Sequence, residues 1–396
     1  MRELRVTWLA GTVMLVLFGA GQHVAVSQTD SKSLVPRVYA ALSRAGDNRP
    51  QLERALKEVA SEHRAGMQFL IAYMPEKDLK SLSADYLLEN VRYAYQAWNQ
   101  SKWKEKIPVE VFLNNVLPYA SITEQRDDWR KQFCKRFSPL VKDAKSPSEA
   151  AAILNRAVFG QLKVKYSTQR KRADQGPLES MESGLASCTG LSVILIDACR
   201  SVGVPARFVG TPLWSDGSGN HSWVEVWDNG WHFTGAAEPT GKELDRAWFL
   251  GRASKADRDK GEHAIYAVSY KKTPLLFPMV WAPDQKGISA VNVTDRYTLA
   301  AKKLADGMAR VMFVATLPDG SRCGAAIQIR DSSDKLIFKG RTNDERFDRN
   351  DHVTVELKIG QEYRVEFAAN EHQMVQEFQV AKENKLISAT LSASDE

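Results

Sequence analysis

The chain is poor in several things that would each point to a particular job. It has four cysteines in 396 residues, Cys134, Cys188, Cys199 and Cys323. That is too few for a disulfide-built scaffold of this size, and no two have the close spacing of a zinc site. Cys199 lies too far along the helix that Cys188 opens to bridge to it, and reads as a buried apolar residue. A Cys134–Cys323 bridge is left open, without support. The histidines His63, His263, His352 and His372 are scattered, with no second ligand at helical or strand spacing. No acidic loop suits calcium, so neither metal nor organic cofactor is expected. There is no internal repeat, glycine-rich phosphate loop or dinucleotide fingerprint. Charge of one sign is not in large excess: the net charge is +6 with a pI near 9.0, and both signs are interspersed. That is an ordinary surface, with at most a mild attraction to an anionic envelope, and no nucleic-acid partner is expected.

Long apolar runs are also missing, with one exception. Arg2 and Arg5 precede Val13-Met14-Leu15-Val16-Leu17-Phe18, and Ala25-Val26-Ser27 is a small-x-small pattern before Gln28. The segment 1–27 reads as a secretory signal peptide, and the chain as exported, periplasmic or extracellular. The run is short for a retained anchor, the competing reading. No transmembrane segment is expected once the signal is removed.

What remains has the composition of a globular protein, 43% hydrophobic and 26% charged, long enough for two or three domains. From Ser33 to Trp103 the spacing is helical: Leu52, Ala55, Leu56, Val59 and Ala60 form one stripe, and Leu82, Tyr86, Leu87, Val91 and Tyr95 another. A mainly helical region is expected over 28–140, with a packing or spacing role. Ser146-Pro147-Ser148-Glu149 is a helix start, with Ser146 as N-cap, Pro147 at the first helical position and Glu149 closing a capping box. After a short strand at 163–166, Gln169 to Pro177 is a polar, basic loop, read as solvated rather than as an anion site. Near Ala305 the texture changes to short alternating runs at 311–315, 325–329, 335–338, 353–357, 363–367, 375–380 and 387–391, separated by turn signals. This pattern predicts an antiparallel β-sandwich over 305–396, a binding or spacing module. Asn292-Val293-Thr294 is a formal glycosylation triplet of little weight.

The chemistry is concentrated in between. Leu191, Ile194, Leu195, Ala198 and Val202 recur at helical spacing, so a buried helix starts near Cys188. Unpaired backbone N–H groups and the positive helix end would favour a thiolate there. Val202-Gly203-Val204-Pro205 ends the helix, and Ala206 to Gly210 reads as a strand. A second strand runs from His221 through Trp227, and a turn at 228–230 leads into Trp231-His232-Phe233-Thr234 and then Glu238-Pro239. A cysteine on a helix start, a histidine on a strand and an acid after the next strand form a nucleophile–base–orienter set. His232 is a rival base, read as a rim residue. Glu225 and Asp228 are alternatives to Glu238, with Glu225 assigned to the strand's other face and Asp228 to the turn.

These pieces, Ala186-Ser187-Cys188-Thr189-Gly190, Gly203-Val204-Pro205-Ala206-Arg207, His221-Ser222-Trp223-Val224-Glu225-Val226 and the acid–Pro pair, resemble the transglutaminase-like (papain-like thiol) superfamily over roughly Ala150 to Tyr270. The resemblance implies an α+β fold, with the helix packed on an antiparallel sheet as a core over 141–300. It implies acyl transfer through Cys188, His221 and Glu238 on peptide, protein or cell-wall-derived amides. Glu238 stands where the family usually places Asp. Leu117-Pro118-Tyr119 and Trp129-Arg130 resemble elements upstream of the cysteine in some bacterial members, where they would line the cleft; the competing reading is a domain-joining turn. A non-catalytic binding protein of the same shape stays open, as do the oligomeric state and the choice between hydrolysis and amine transfer.

Overall fold

The structure is a computed structural model that describes residues 28–301, 307–344, 352–370, 372–381 and 385–391. The signal-peptide segment, with Arg2, Arg5, the 13–18 run and Ala25-Val26-Ser27, lies outside these residues. Among the described residues no helix is long and apolar enough to cross a membrane.

The first part of the chain is helical. Gln28–Arg44, Arg49–Glu58, Arg64–Tyr73, Ala84–Gln100, Val109–Asn115, Arg130–Val141 and Pro147–Leu162 are its main helices. Both stripes read from sequence face inward: Leu52 and Ala55, and Leu87 and Val91, are fully buried. The helix at Pro147 begins as its sequence dictates. Ser146 Oγ accepts the Glu149 N–H, while the Glu149 carboxylate reaches back to the N–H of Lys145 rather than that of Ser146.

Helix Cys188–Ser201 is the centre of the fold, with every residue from Thr189 to Ser201 buried. One face packs on the strands Ala206–Thr211 and His221–Trp227, the other on the helices Arg130–Val141 and Pro147–Leu162. The strands belong to a six-stranded antiparallel sheet in the spatial order 231–234, 221–227, 206–211, 266–269, 289–292, 275–276. The fold is therefore mixed helix and sheet, with a buried helix against an antiparallel sheet as expected. One continuous apolar core runs from Leu34 in the first helix to Ala290 in the sheet, so the N-terminal helices and the sheet are packed together. At the helix end, Gly203 has φ +77°, and a Cβ there would lie 2.7 Å from the Ala97 carbonyl oxygen, so only glycine fits the turn.

The far end of that helix explains the Leu-Pro-Tyr and Trp-Arg elements. Arg130 is fully buried and donates to Asn90 Oδ1 and to the carbonyls of Val116, Leu117, Pro118 and Arg200. Arg200 donates to the carbonyls of Asn115, Pro118, Ala120 and Ala206, and Trp129 Nε1 donates to Tyr119 O. These two guanidiniums hold a turn whose backbone would otherwise be buried without partners. Burial and mutual repulsion press Arg130 down to about 9, while Asp197 between them is pushed well up by its own burial. The turn is a structural clamp. Arg200 lies twelve residues from Cys188 along one helix, about 18 Å away, so the clamp does not wall the cysteine's cleft.

The sandwich expected at the C-terminus is present. Strands 336–341, 326–331, 362–369 and 372–379 make one antiparallel sheet; 353–358, 308–316 and 385–390 make the other, with 385–390 parallel to 308–316. Phe313, Ile327, Ile329, Val365 and Phe367 fill its separate core. All four cysteines are free, so Cys134 and Cys323 form no bridge.

Replacing Arg130 by Met should cost at least about 3 kcal/mol, because it strips several buried carbonyls of their donor at once. Urea unfolding monitored by fluorescence measures this, and a loss below about 1 kcal/mol would mean the clamp is dispensable.

Candidate active site

Cys188 is the first residue of its helix, and Ser187 caps it. Ser187 Oγ accepts the N–H groups of Thr189 (3.0 Å) and Gly190 (3.2 Å) and donates to Ala173 O (2.6 Å). The cap thus takes up the second and third N–H groups and leaves that of Cys188 itself outside its network. Cys188 is part-buried. Thr189 Oγ1 shares a 3.2 Å hydrogen bond with the Oγ of Ser222, the residue after His221, and the Ser222 N–H lies close enough to the sulfur to draw its proton affinity down. The helix start and the strand start are therefore stitched together, bringing two residues distant in sequence to one place.

The sulfur's proton affinity differs from the sequence expectation. Burial pushes the Cys188 thiol up, and this outweighs the opposing pull of the Ser222 N–H, of Thr189 and of the Arg170 charge. The helix end offers less than expected because Ser187 already accepts the N–H groups of Thr189 and Gly190.

His221 opens strand 221–227 and is 8% exposed. Its ring lies 5.0 Å from those of Trp248 and Phe249, 5.9 Å from Trp223 and 6.0 Å from Trp214, centre to centre. Nε2 has no hydrogen-bond partner. Burial in this aromatic cage, with a smaller push from Arg252, lowers the imidazole to about 4. The thiol is raised and the imidazole lowered, neither in the direction of a thiolate–imidazolium pair, and among the described residues no hydrogen bond joins Cys188 to His221.

Glu238 lies half-buried in the turn after strand 231–234. It makes no hydrogen bond to His221 here. Burial raises its carboxyl, offset in part by the Trp248 indole N–H, and Oε2 is buried without a partner. Trp248 thus touches both the acid and the imidazole, and is itself 58% exposed. A Cβ at Gly235 would collide with Glu238 Oε2, so a glycine is required there for the carboxylate to sit where it does. The sequence marks residues 247–250 as no more than an apolar patch; the Trp248-Phe249 pair is the available signal for Trp248.

The alternative residues each have partners of their own. Glu225 shares a face with His221 and Trp223, as a two-residue period requires, and not the other face as first assigned. It is fully buried and pairs with Arg207 (2.7 Å), Arg296 (2.7 Å) and the Tyr297 hydroxyl (2.8 Å). Burial would raise its carboxyl, but Arg296 and Arg207 together hold it below the usual range. Asp228 Oδ2 accepts the Ser148 N–H, and His232 pairs with Asp245 at 2.6 Å, at the edge of the sheet. Gln175, fully buried near Gly190, donates to Ser183 Oγ, and its Oε1 is buried without a hydrogen-bond partner. No group of three or more His, Cys, Asp or Glu side chains suited to a metal occurs among the described residues.

Residues 135–235 match the family described as the transglutaminase-like superfamily. Similar solved structures include a candidate cysteine protease from Cytophaga hutchinsonii, 12% identical over 41% of this chain with a TM-score of 0.24. They also include the transglutaminase of red sea bream, 10% identical over 71% of this chain with a TM-score of 0.32. This chain spans 52% and 65% of their respective lengths. No curated protein matches it.

Two outcomes test the electrostatics. Glu225→Gln should cost about 3–5 kcal/mol by breaking a buried charge network, whereas Glu238→Gln should cost under about 1 kcal/mol; denaturant midpoints compare them, and equal costs would contradict the assignment. Between pH 6.5 and 4 the unfolded chain binds a proton at His221 that the folded chain refuses, so stability should fall with falling pH across that window. At about 1.4 kcal/mol per pH unit the total is about 3 kcal/mol. His221→Gln should remove that part of the pH dependence in thermal melts.

Proposed function

We propose that this chain, whose residues 135–235 belong to the transglutaminase-like superfamily, is an exported cysteine-dependent acyl-transfer enzyme acting on peptide, protein or wall-derived amides. The observation that supports this reading most is the 3.2 Å hydrogen bond between Thr189 Oγ1 and Ser222 Oγ, which joins the residue after Cys188 to the residue after His221.

In this mechanism the substrate carbonyl enters beside Cys188. His221 takes the thiol proton as sulfur attacks, so the S–C bond forms without a standing thiolate. The Cys188 N–H is placed to donate to the developing oxyanion. Collapse breaks the C–N bond, and the imidazolium returns its proton to the leaving amine. Water then releases the acid, or a second amine takes the acyl group. Glu238 would orient His221 once Trp248 shifts, since the carboxylate and the ring meet the same indole in the resting arrangement.

A second reading has its own observation. With the Glu238 carboxyl turned to Trp248 and His221 Nε2 unpartnered, the triad is not assembled, as a binding protein that kept the shape would also have it.

Trapping of the acyl-enzyme with hydroxylamine, on a panel of peptide and wall-fragment amides, separates the two. Cys188→Ala should abolish hydroxamate formation while shifting stability by no more than about 0.5 kcal/mol. The wild-type kcat/KM should keep its acid limb near pH 4, because the base stays uncharged down to its lowered value of about 4. Turnover by the Ala variant would end the enzymatic reading, and an acid limb near 6.5 would mean that a solvated imidazole does the work.

A further inference from the structure

The basic loop after strand 165–166 is not simply solvated. Its two ends are tied to the two residues before the nucleophile: the Ser167 N–H donates to Ala186 O (2.9 Å), and Ser187 Oγ donates to Ala173 O (2.6 Å). The loop 168–172 therefore arches from the very backbone that presents Cys188. It carries three cations, and they differ. Arg172 is occupied by Asp174 (3.3 Å) and Glu179 (2.9 Å), and Lys171 is exposed. Arg170 is part-buried; its guanidinium donates to Thr168 O within the loop (2.9 Å) and has no carboxylate partner among the described residues. On the histidine side Arg252 is already compensated, by Asp216 at 3.2 Å.

We propose that Arg170 is a specificity residue, selecting amide substrates that carry a carboxylate on or next to the residue supplying the scissile carbonyl. A guanidinium with a free edge matches a carboxylate in two parallel hydrogen bonds, and a part-buried site screens that attraction less than open water would. The charges acting on the sulfur and on the imidazole are both positive, from Arg170 and Arg252, which agrees with an anionic group entering there. The inference deepens the acyl-transfer reading and rests on it.

The test needs no known substrate. Full-length protein is alkylated with iodoacetate, which carries the carboxylate, or with iodoacetamide, which does not, and the rates at Cys188 are followed by peptide mass spectrometry. The iodoacetate-to-iodoacetamide ratio should drop about three- to tenfold in Arg170→Gln at low salt, as expected for one unit charge removed at short range. It should stay near wild type in Arg170→Lys and fall with added salt in the wild type. Cys323, in the sandwich, serves as internal control, and its ratio should not move. A Cys188 ratio unchanged in Arg170→Gln would overturn the specificity role while leaving acyl transfer standing. Failure of either reagent to modify Cys188 would overturn both.

Discussion

The constraint on which the structure depends is the complete burial of one helix. Helix Cys188–Ser201 has no residue in solvent from its second position on, so neither end can satisfy its backbone with water. The polar arrangements at its ends answer that. At the start, a single serine hydroxyl accepts two N–H groups and donates to a loop carbonyl. At the finish, Arg200 and Arg130 gather the carbonyls of a neighbouring turn. Since the helix is rigid and its far end is clamped, the position of the Cys188 sulfur is fixed by contacts about 18 Å away.

The sheet side of the site is governed by a different force. His221, Trp223 and Glu225 share one face, and that face is lined by Trp214, Phe249 and Tyr297. Aromatic burial excludes water and penalises charge, so Glu225, fully buried on this face, is neutralised on the spot by two arginines. The imidazole receives no such partner and stays uncharged. The same strand therefore carries one acid kept ionised by pairing and one base kept neutral by isolation. Their local surroundings differ, even though the side chains are four residues apart.

Much of this could be read from the chain. Local signals did the most: Ser146-Pro147 and Ser187-Cys188 place helix starts within a residue, the two-residue alternation of the C-terminal runs gives all seven strands, and His221 begins its strand where expected. What could not be read depends on partners distant in sequence. Nothing near Arg130 announces that it donates to carbonyls at 116–118, and nothing near Glu238 announces Trp248. The raised thiol of Cys188 was missed because a helix start is a local pattern, whereas burial and the use of the Ser187 cap belong to the assembled fold. The face of Glu225 was a different failure, a parity count that the sequence itself contained.

The unpartnered atoms of His221 and Glu238 have an energetic meaning. His221 Nε2 and Glu238 Oε2 are both buried without hydrogen-bond partners, and a buried polar group left unpaired costs about 1–3 kcal/mol. Such a cost is tolerated in a folded protein when something else compensates, and here the compensation is the aromatic packing around the ring. A ligand that supplies a donor or acceptor at these atoms recovers that cost on binding, in addition to its own contacts. Trp248 stands next to both: its ring lies 5.0 Å from the imidazole, its indole N–H offsets part of the rise of the Glu238 carboxyl, and it is 58% exposed.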